Sequence, residues 1–276
     1  MLSFIKNSFR RTNDSIILIT PLIIFISLFG CYFNYLKETV NSIPKFIFAI
    51  LSCWIMFSGL FSAWFYMVKK TLILSDKIFL FEKDREKELI KILKSFSKGL
   101  GKYFASFLGG VLIAGILYVA MFGAINFLTD LFNNDKSMNL IDSAYSLISL
   151  NDFLNIIRTF PNDGFNTFHF WCAFQFLGSF VISFLIMLYI PEIVYKTLNP
   201  FKAFINSIKK LFKTFIKSSV LFLYLNVLYL IISVINAILI GNPYFYPFVL
   251  ILFYYFIIYA TSSVFTYYEW EFMTNE

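Results

Sequence analysis

Charged residues and histidine are scarce in this sequence, and both shortages exclude whole classes of protein. Only 14% of the residues are charged, against about a quarter in a soluble domain. The single histidine, His169, excludes a multi-histidine metal site and leaves no Ser-His-Asp set. The three cysteines lie in or beside apolar runs without metal-ligand spacing. We therefore expect no enzyme activity, no metal site and no cofactor.

Apolar sequence is abundant instead, since 59% of the residues are hydrophobic and 21% are aromatic. A membrane-spanning helix needs about 20 predominantly apolar residues. The sequence predicts an all-α, polytopic membrane bundle of six transmembrane helices, forming a single domain over residues 1–276. The predicted spans are 15–35, 46–68, 103–128, 168–189, 218–240 and 244–267.

Basic residues are concentrated on one side of this six-span arrangement. Nineteen of the 23 lysines and arginines fall before the first span, in 69–102 or in 196–217. Loops that carry most of the lysine and arginine stay in the cytoplasm. We therefore expect a multi-pass protein of the cytoplasmic (inner) membrane with both termini in the cytoplasm. Because the charge belongs to these loops, we expect no nucleic acid as a partner.

The segment 196–217 alternates lysines with aromatic and aliphatic residues at helical spacing. Its apolar positions are Phe201, Phe204, Ile208, Leu211, Phe212 and Phe215. This pattern is typical of an amphipathic helix that lies in a membrane interface among anionic headgroups. A solvated helical loop is the alternative. The residues expected to contact headgroups, here and in similar segments, are Arg10, Arg11, Lys98, Lys102, Lys209, Lys210, Lys213 and Lys217.

The N-terminal segment and residues 89–103 resemble 196–217, and each of the three precedes an apolar run. Aligning Ser8, Ser95 and Ser207 places Arg11, Lys98 and Lys210 three residues after them. This alignment predicts a threefold repeat of a basic interfacial helix followed by a helical hairpin. Chance similarity between basic, hydrophobic segments is the alternative.

Polar and small residues within the spans indicate two further roles. Asn226, Ser233 and Asn236 lie near one face of span five, and with Glu192 they are candidates for a polar pathway. Interhelical hydrogen bonding, and for Glu192 an ion pair with Lys196, are the alternatives. Small residues that would let helices two and three pack closely near the centre of the bundle are Ser58, Gly59, Ser62, Ala63, Ser106, Gly110 and Ala114.

The segment P-E-I-V-Y-K-T-L-N-P-F-K-A-F-I-N-S-I-K-K resembles part of a known family. It is similar to a segment in the membrane domain of glycerophosphodiester phosphodiesterases and related uncharacterised bacterial six-helix membrane proteins. The matching residues are Pro191, Ile193, Val194, Ala203, Ser207 and Lys210. The closing A-T-S-S-V-F-T-Y-Y also resembles that family's last helix. The resemblance covers about a quarter of the chain, lacks the soluble hydrolase domain, and implies a six-helix bundle with interfacial helices.

These patterns favour a non-enzymatic membrane protein that organises or senses anionic lipid or supports a membrane partner. Residues 69–102, which mix both charge signs, are a candidate docking segment for a protein partner. The alternative is a permease for a small molecule or lipid, with its cavity lined by span five.

Overall fold

The computed structural model describes residues 2–77, 81–132, 162–239 and 244–273. These residues are helical throughout their length apart from short breaks, and contain no strand. Six of the helical segments are long and apolar enough to cross a membrane. The chain is therefore an all-α, multi-pass integral membrane protein, as the sequence predicts.

Along the described chain, each pair of long helices follows one or two short helices. The short helices are α1 (Leu2–Asp14), α4 (Glu82–Lys94), α7 (Tyr189–Tyr195) and α8 (Pro200–Lys213). The long helices are α2 (Ile19–Thr39), preceded by a 3-10 turn at Ile16–Leu18, α3 (Ile43–Ser75), α5 (Phe96–Phe132), α6 (Asn162–Ile186), α9 (Phe215–Leu239) and α10 (Tyr246–Phe272).

The six predicted spans are all present, but most of the helices run beyond the predicted ends. The second ends at Ser75 rather than residue 68, and the third begins at Phe96 rather than 103. These extensions contain lysines, because a helix continues into the interface where charged side chains reach polar surroundings. The predicted loop 129–167 lies outside the described residues except for its helical ends, and the predicted turn 241–243 and the side chain of His169 also lie outside them.

Contacts divide the chain into two compact units, Met1–Leu112 with Leu185–Glu276, and Ile113–Phe184. In the first unit, Leu18, Trp64, Leu72, Ile193 and Ile258 belong to a continuous buried core. The Trp64 indole donates a hydrogen bond to the Leu18 carbonyl at 3.1 Å, which joins α3 to the chain between α1 and α2.

The second unit contains the C-terminal part of α5 and most of α6. The Trp171 indole donates to Asn126 Oδ1 at 2.8 Å, and the Trp171 ring meets Phe122 edge-on. Gly178 lies against Met121, since a Cβ on this glycine would come within 2.8 Å of the Met121 Cγ atom. The predicted single domain is not tested by this division and stays a prediction.

Each basic helix is followed by a one-residue break and then by a long apolar segment. The breaks fall at Ser15, Ser95 and Thr214, and each hydroxyl donates to a carbonyl three or four residues earlier at 2.7–3.1 Å. Such back-bonding gives the carbonyl a side-chain donor near the helix end, in addition to the backbone N–H that the Ile92 and Lys210 carbonyls also accept. The element order of the predicted repeat is therefore present, with a common chemical marker at each break.

The breaks also correct the predicted alignment of the three segments. Ser8 and Ser207 lie the same distance before their breaks, and both are fully buried. Ser95 is itself the break residue, so it does not correspond to them. In the second segment Lys91, not Lys98, corresponds to Arg11 and Lys210. The serine match failed because a serine suits both a buried packing position and a helix end.

Candidate functional site

Carboxylates at the ends of the second, fourth and sixth spans meet the basic segments in the first unit. Asp76 follows α3, Glu192 lies in α7 and Glu269 lies in the last turn of α10. Arg11 contacts the first and third of these acids, and Lys210 contacts Glu192. We call the end of the structure that carries α1, α4 and α8 the basic end. It contains ion pairs between α1 or α8 and these acids, in addition to exposed charges.

Glu192 is the most deeply buried charged residue of this network, with 2% of its surface exposed. Its Oε2 atom accepts from Lys210 Nζ at 2.7 Å and from the Tyr268 hydroxyl at 2.5 Å. Its Oε1 atom accepts from Asn206 Nδ2 at 3.3 Å. Lys210 also donates to the Tyr268 hydroxyl at 2.6 Å. Both carboxylate oxygens thus have donors, which a buried charge requires.

Local sequence explains why Glu192 reaches this position. The fourth span breaks at residues 187–188, and the chain restarts as the seven-residue helix α7 with Pro191 near its beginning. Ile193 and Val194 are buried on the same short helix. Because α7 is enclosed on several sides, its carboxylate faces protein rather than water or lipid.

Arg11 forms the second cluster, on α1. Its Nη1 atom donates to Glu269 Oε2 at 2.6 Å and to Thr266 Oγ1 at 3.1 Å. Its Nε and Nη2 atoms both face the Asp76 carboxylate, the former at 3.3 Å. Burial alone would lower the pKa of Arg11, but the hydrogen bonds and negative charges of Glu269 and Asp76 raise it above its ordinary value. The guanidinium therefore stays charged and ties α1 to α3 and α10.

Two tyrosines connect the Glu192 and Arg11 clusters. The Tyr195 hydroxyl donates to Glu269 Oε1 at 2.5 Å. The Tyr195 ring stacks on the Tyr268 ring, with centroids 5.9 Å apart and planes 11° from parallel. Lys69 Nζ lies over the Tyr195 ring, 4.6 Å from its centroid, and donates a hydrogen bond to the Val194 carbonyl at 2.9 Å. The two ion clusters therefore form one continuous polar network through α7.

The residues predicted to contact headgroups fall into two groups. Lys98, Lys102, Lys209 and Lys213 are exposed, as are Arg10 and Lys217, which also lie near Asp76 and Glu271 respectively. Arg11 is different, because it is buried and its guanidinium is directed to two carboxylates, which corrects its predicted role. Lys210 likewise has an intramolecular partner, and a headgroup contact for it stays a prediction.

Helix α8 presents three distinct faces. Ala203, Ser207 and Leu211 are fully buried against the core. Phe201, Ile205 and Phe212 form an exposed apolar stripe, with exposed fractions of 61%, 53% and 60%. Lys202, Lys209 and Lys213 are exposed beside this stripe, on average about 80° further around the helix. The sequence predicted one apolar and one basic face for this helix. The structure adds a third face, which packs against the protein core.

The four residues proposed for a polar pathway are not brought together. Asn226 donates to the Phe222 carbonyl of its own helix at 2.7 Å. Glu192 belongs to the ion network at the basic end, where its carboxylate contacts Lys210 rather than Lys196. Of these four residues, Ser233 and Asn236 line the same cavity, a cleft of about 310 Å³. The remaining lining residues are Tyr229 and Ile232 of α9 and Tyr246, Val249, Leu250 and Phe253 of α10.

The small residues of the second and third spans are placed against different neighbours. Ser58, Gly59, Ser62 and Ala63 are buried in α3, where Ala63 approaches Gly99 of α5. In α5, the Ser106 hydroxyl donates to the Leu198 carbonyl at 2.5 Å. A Cβ on Gly110 would come within 2.9 Å of the Tyr189 hydroxyl. Ser106 and Gly110 thus contact the chain around α7, while Ala114 is half-buried.

Asp76, Tyr195, Tyr268 and Glu269 are not among the residues predicted from the sequence. One signal in the sequence indicates Asp76 and Glu269 together with Glu192: each even-numbered span has a carboxylate at its basic end. Counting only lysine and arginine overlooks this pattern. Among the described residues, no group of three or more His, Cys, Asp or Glu side chains is arranged to hold a metal ion.

The motif residues that carry the family resemblance are mostly core residues of α7 and α8. Pro191, Ile193, Val194, Ala203 and Ser207 are buried, and the sixth, Lys210, pairs with Glu192. Comparisons with protein-family models, with curated proteins and with solved structures each find no match. The resemblance to the membrane domain of glycerophosphodiester phosphodiesterases therefore stays a prediction.

Proposed function

We propose that this integral membrane protein is non-enzymatic and binds anionic lipid at its basic end, on the cytoplasmic side of the cytoplasmic membrane. The arrangement of α8 carries the proposal. Its exposed Phe201 and Phe212 fit the acyl-chain boundary, and the neighbouring Lys209 and Lys213 would then reach the headgroup level. Because Lys210 fixes the helix to Glu192, the two outward faces are held in one orientation.

The electrostatic attraction expected of this face is large enough to measure. A lysine near an anionic membrane surface contributes about 1 kcal/mol at physiological ionic strength, or about a five-fold preference for anionic lipid. This contribution decreases with added salt, since exposed charges are screened over about 10 Å at 0.1 M. Two exposed lysines should therefore give a preference that high salt removes.

The test is the selectivity of the purified protein for spin-labelled phosphatidylglycerol over phosphatidylcholine in nanodiscs. Lys209→Gln/Lys213→Gln should lower this selectivity several-fold at low salt. Lys83→Gln/Lys87→Gln, which removes the same charge from exposed positions of α4, is the matched control and should change it little. Equal selectivity in the wild type and the α8 variant would refute the proposal.

Orientation is tested separately by cysteine labelling from the two sides of the membrane. On a background without the native cysteines, Lys209→Cys should react with an impermeant maleimide only from the cytoplasmic side. Tyr244→Cys, at the opposite end between α9 and α10, should react only from outside. Labelling of Lys209→Cys from outside would place the basic end on the wrong side for this proposal.

A second candidate function is transport of a small molecule or lipid, and the cleft containing Ser233 and Asn236 favours it. The cleft does not include Asn226 or Glu192, so the described residues supply a binding place rather than a passage. Uptake or transbilayer movement in proteoliposomes tests this candidate. A docking role for residues 69–102, where the first half of α4 is exposed, also stays a prediction.

A further inference from the structure

We propose that the cleft between α9 and α10 binds one acyl chain and the ester region of a glycerolipid from the leaflet opposite the basic end. The inference goes beyond the anionic-lipid face, because it concerns a different leaflet and does not require headgroup charge. It rests on the same cleft that favours the second candidate function, but it concerns occupancy and not transport.

The depth of the polar residues identifies the lipid region that they would meet. Asn236 lies nineteen residues after Lys217 on α9, which corresponds to about 28 Å along the helix. The hydrocarbon core of a bilayer is about 30 Å thick. If Lys217 marks one interface, Asn236 lies at the other, and Ser233 lies about 5 Å further inside. This is the level of the glycerol and ester groups.

The hydrogen-bonding state of these side chains indicates an acceptor within the cleft. Among the described residues, neither the Ser233 hydroxyl nor the Asn236 amide has a hydrogen-bond partner. Asn226, on the same helix, satisfies its amide with its own backbone. Unpaired amides and hydroxyls are unfavourable where water is excluded. Ester carbonyls of a lipid could accept from both donors.

The remaining lining suits a hydrocarbon chain with an interfacial end. Ile232, Leu250 and Phe253 provide apolar walls, and Tyr246 lies at the beginning of α10, where tyrosines favour the headgroup level. The volume of about 310 Å³ is at the lower end of the range for ligand sites. It accommodates part of one chain and no whole lipid. The cleft is open to the side, since its lining residues Tyr229, Tyr246 and Phe253 are themselves exposed, so a bilayer lipid can enter sideways.

The experiment uses the full chain in nanodiscs with phosphatidylcholine that carries a photoreactive diazirine on its acyl chain. Adducts mapped by mass spectrometry should concentrate on the cleft and should be competed by unlabelled phosphatidylcholine. Leu250→Trp, which fills the cleft, should reduce them at least five-fold. Asn236→Leu should reduce these adducts about three-fold, which corresponds to the loss of one side-chain hydrogen bond within a membrane. Asn226→Leu is the matched control and should leave them unchanged.

Three results would overturn the inference. Adducts spread evenly over the exposed faces of α9 and α10, without competition, would show ordinary boundary lipid. An equal loss in Asn226→Leu would show a general effect on the helix. Cross-linked protein dimers at this face would show that a second protein surface covers it. Competition by unlabelled phosphatidylcholine in the wild-type protein tests the inference even if a variant does not fold. Because the probe is zwitterionic, a failure of specific labelling would leave the anionic-lipid proposal intact. Specific labelling of a protein that shows no transport would separate occupancy of the cleft from the second candidate function.

Discussion

Removing the charge of Lys210 should destabilise the protein more than removing the charge of Glu192. The two side chains form one ion pair at 2.7 Å, but their surroundings differ, since 2% of the glutamate side chain and 22% of the lysine side chain are exposed. Lys210→Met would leave a buried carboxylate whose cation is gone. Loss of one partner from a buried pair costs about 3–5 kcal/mol.

Glu192→Gln should cost less, for two structural reasons. The amide oxygen can still accept from Tyr268, and the freed lysine can extend toward the interface. Loss of the charged hydrogen bond alone corresponds to about 1.5–3 kcal/mol. In the double variant neither charge remains, so its destabilisation should be smaller than the sum of the two single losses by about 0.5–3 kcal/mol.

The assay is equilibrium unfolding in mixed micelles with increasing dodecyl sulfate, followed by far-ultraviolet circular dichroism. Lys209→Met is the control, since Lys209 is the exposed neighbour of Lys210 on α8. The explanation fails if Lys210→Met is no more destabilising than Lys209→Met. It also fails if the double variant loses the full sum, because the two charges would then not interact.

Three further predictions use the same unfolding measurement. Arg11→Gln should cost about 3–5 kcal/mol because two acids lose their shared cation, whereas the exposed Arg10→Gln should stay within about 0.5 kcal/mol; similar losses would contradict the ion network. Gly99→Ala should cost about 1–3 kcal/mol, since its Cβ would come within 2.9 Å of the α3 backbone, while Gly101→Ala, with nothing within 4 Å, should not destabilise. Tyr195→Phe should cost about 1–2 kcal/mol through the lost hydroxyl; no loss would remove this tyrosine from the network.

The fold could be predicted from the sequence because lipid imposes a simple rule on the chain. A run of about 20 apolar residues must be helical in a bilayer, where every backbone group needs an internal partner. The apolar runs around Phe46–Val68 and Ser218–Ile240 therefore predicted their helices directly. The ends of the helices were less predictable, since α3 and α5 continue through charged residues that hydropathy assigns to loops.

The candidate sites could be predicted only in part. The exposed lysines of α8 follow from helical spacing, because a face is a property of one helix. The pairing of Arg11 with Asp76 and Glu269 joins positions separated by 65 and 258 residues. No local pattern contains that information. The same limitation explains why Glu192 was expected to pair with its neighbour Lys196.

The sequence by itself determined that this protein crosses a membrane six times and where its basic helices lie, since both depend on local hydropathy and on 3.6-residue periodicity. The tertiary structure alone decided which basic residues turn inward. Arg11 and Lys210 resemble their exposed neighbours in the sequence, but Arg11 faces Asp76 and Glu269 from distant helices, and Lys210 faces the buried Glu192 of α7. Which charge is buried is set by packing between helices, and packing depends on residues that are far apart in the chain.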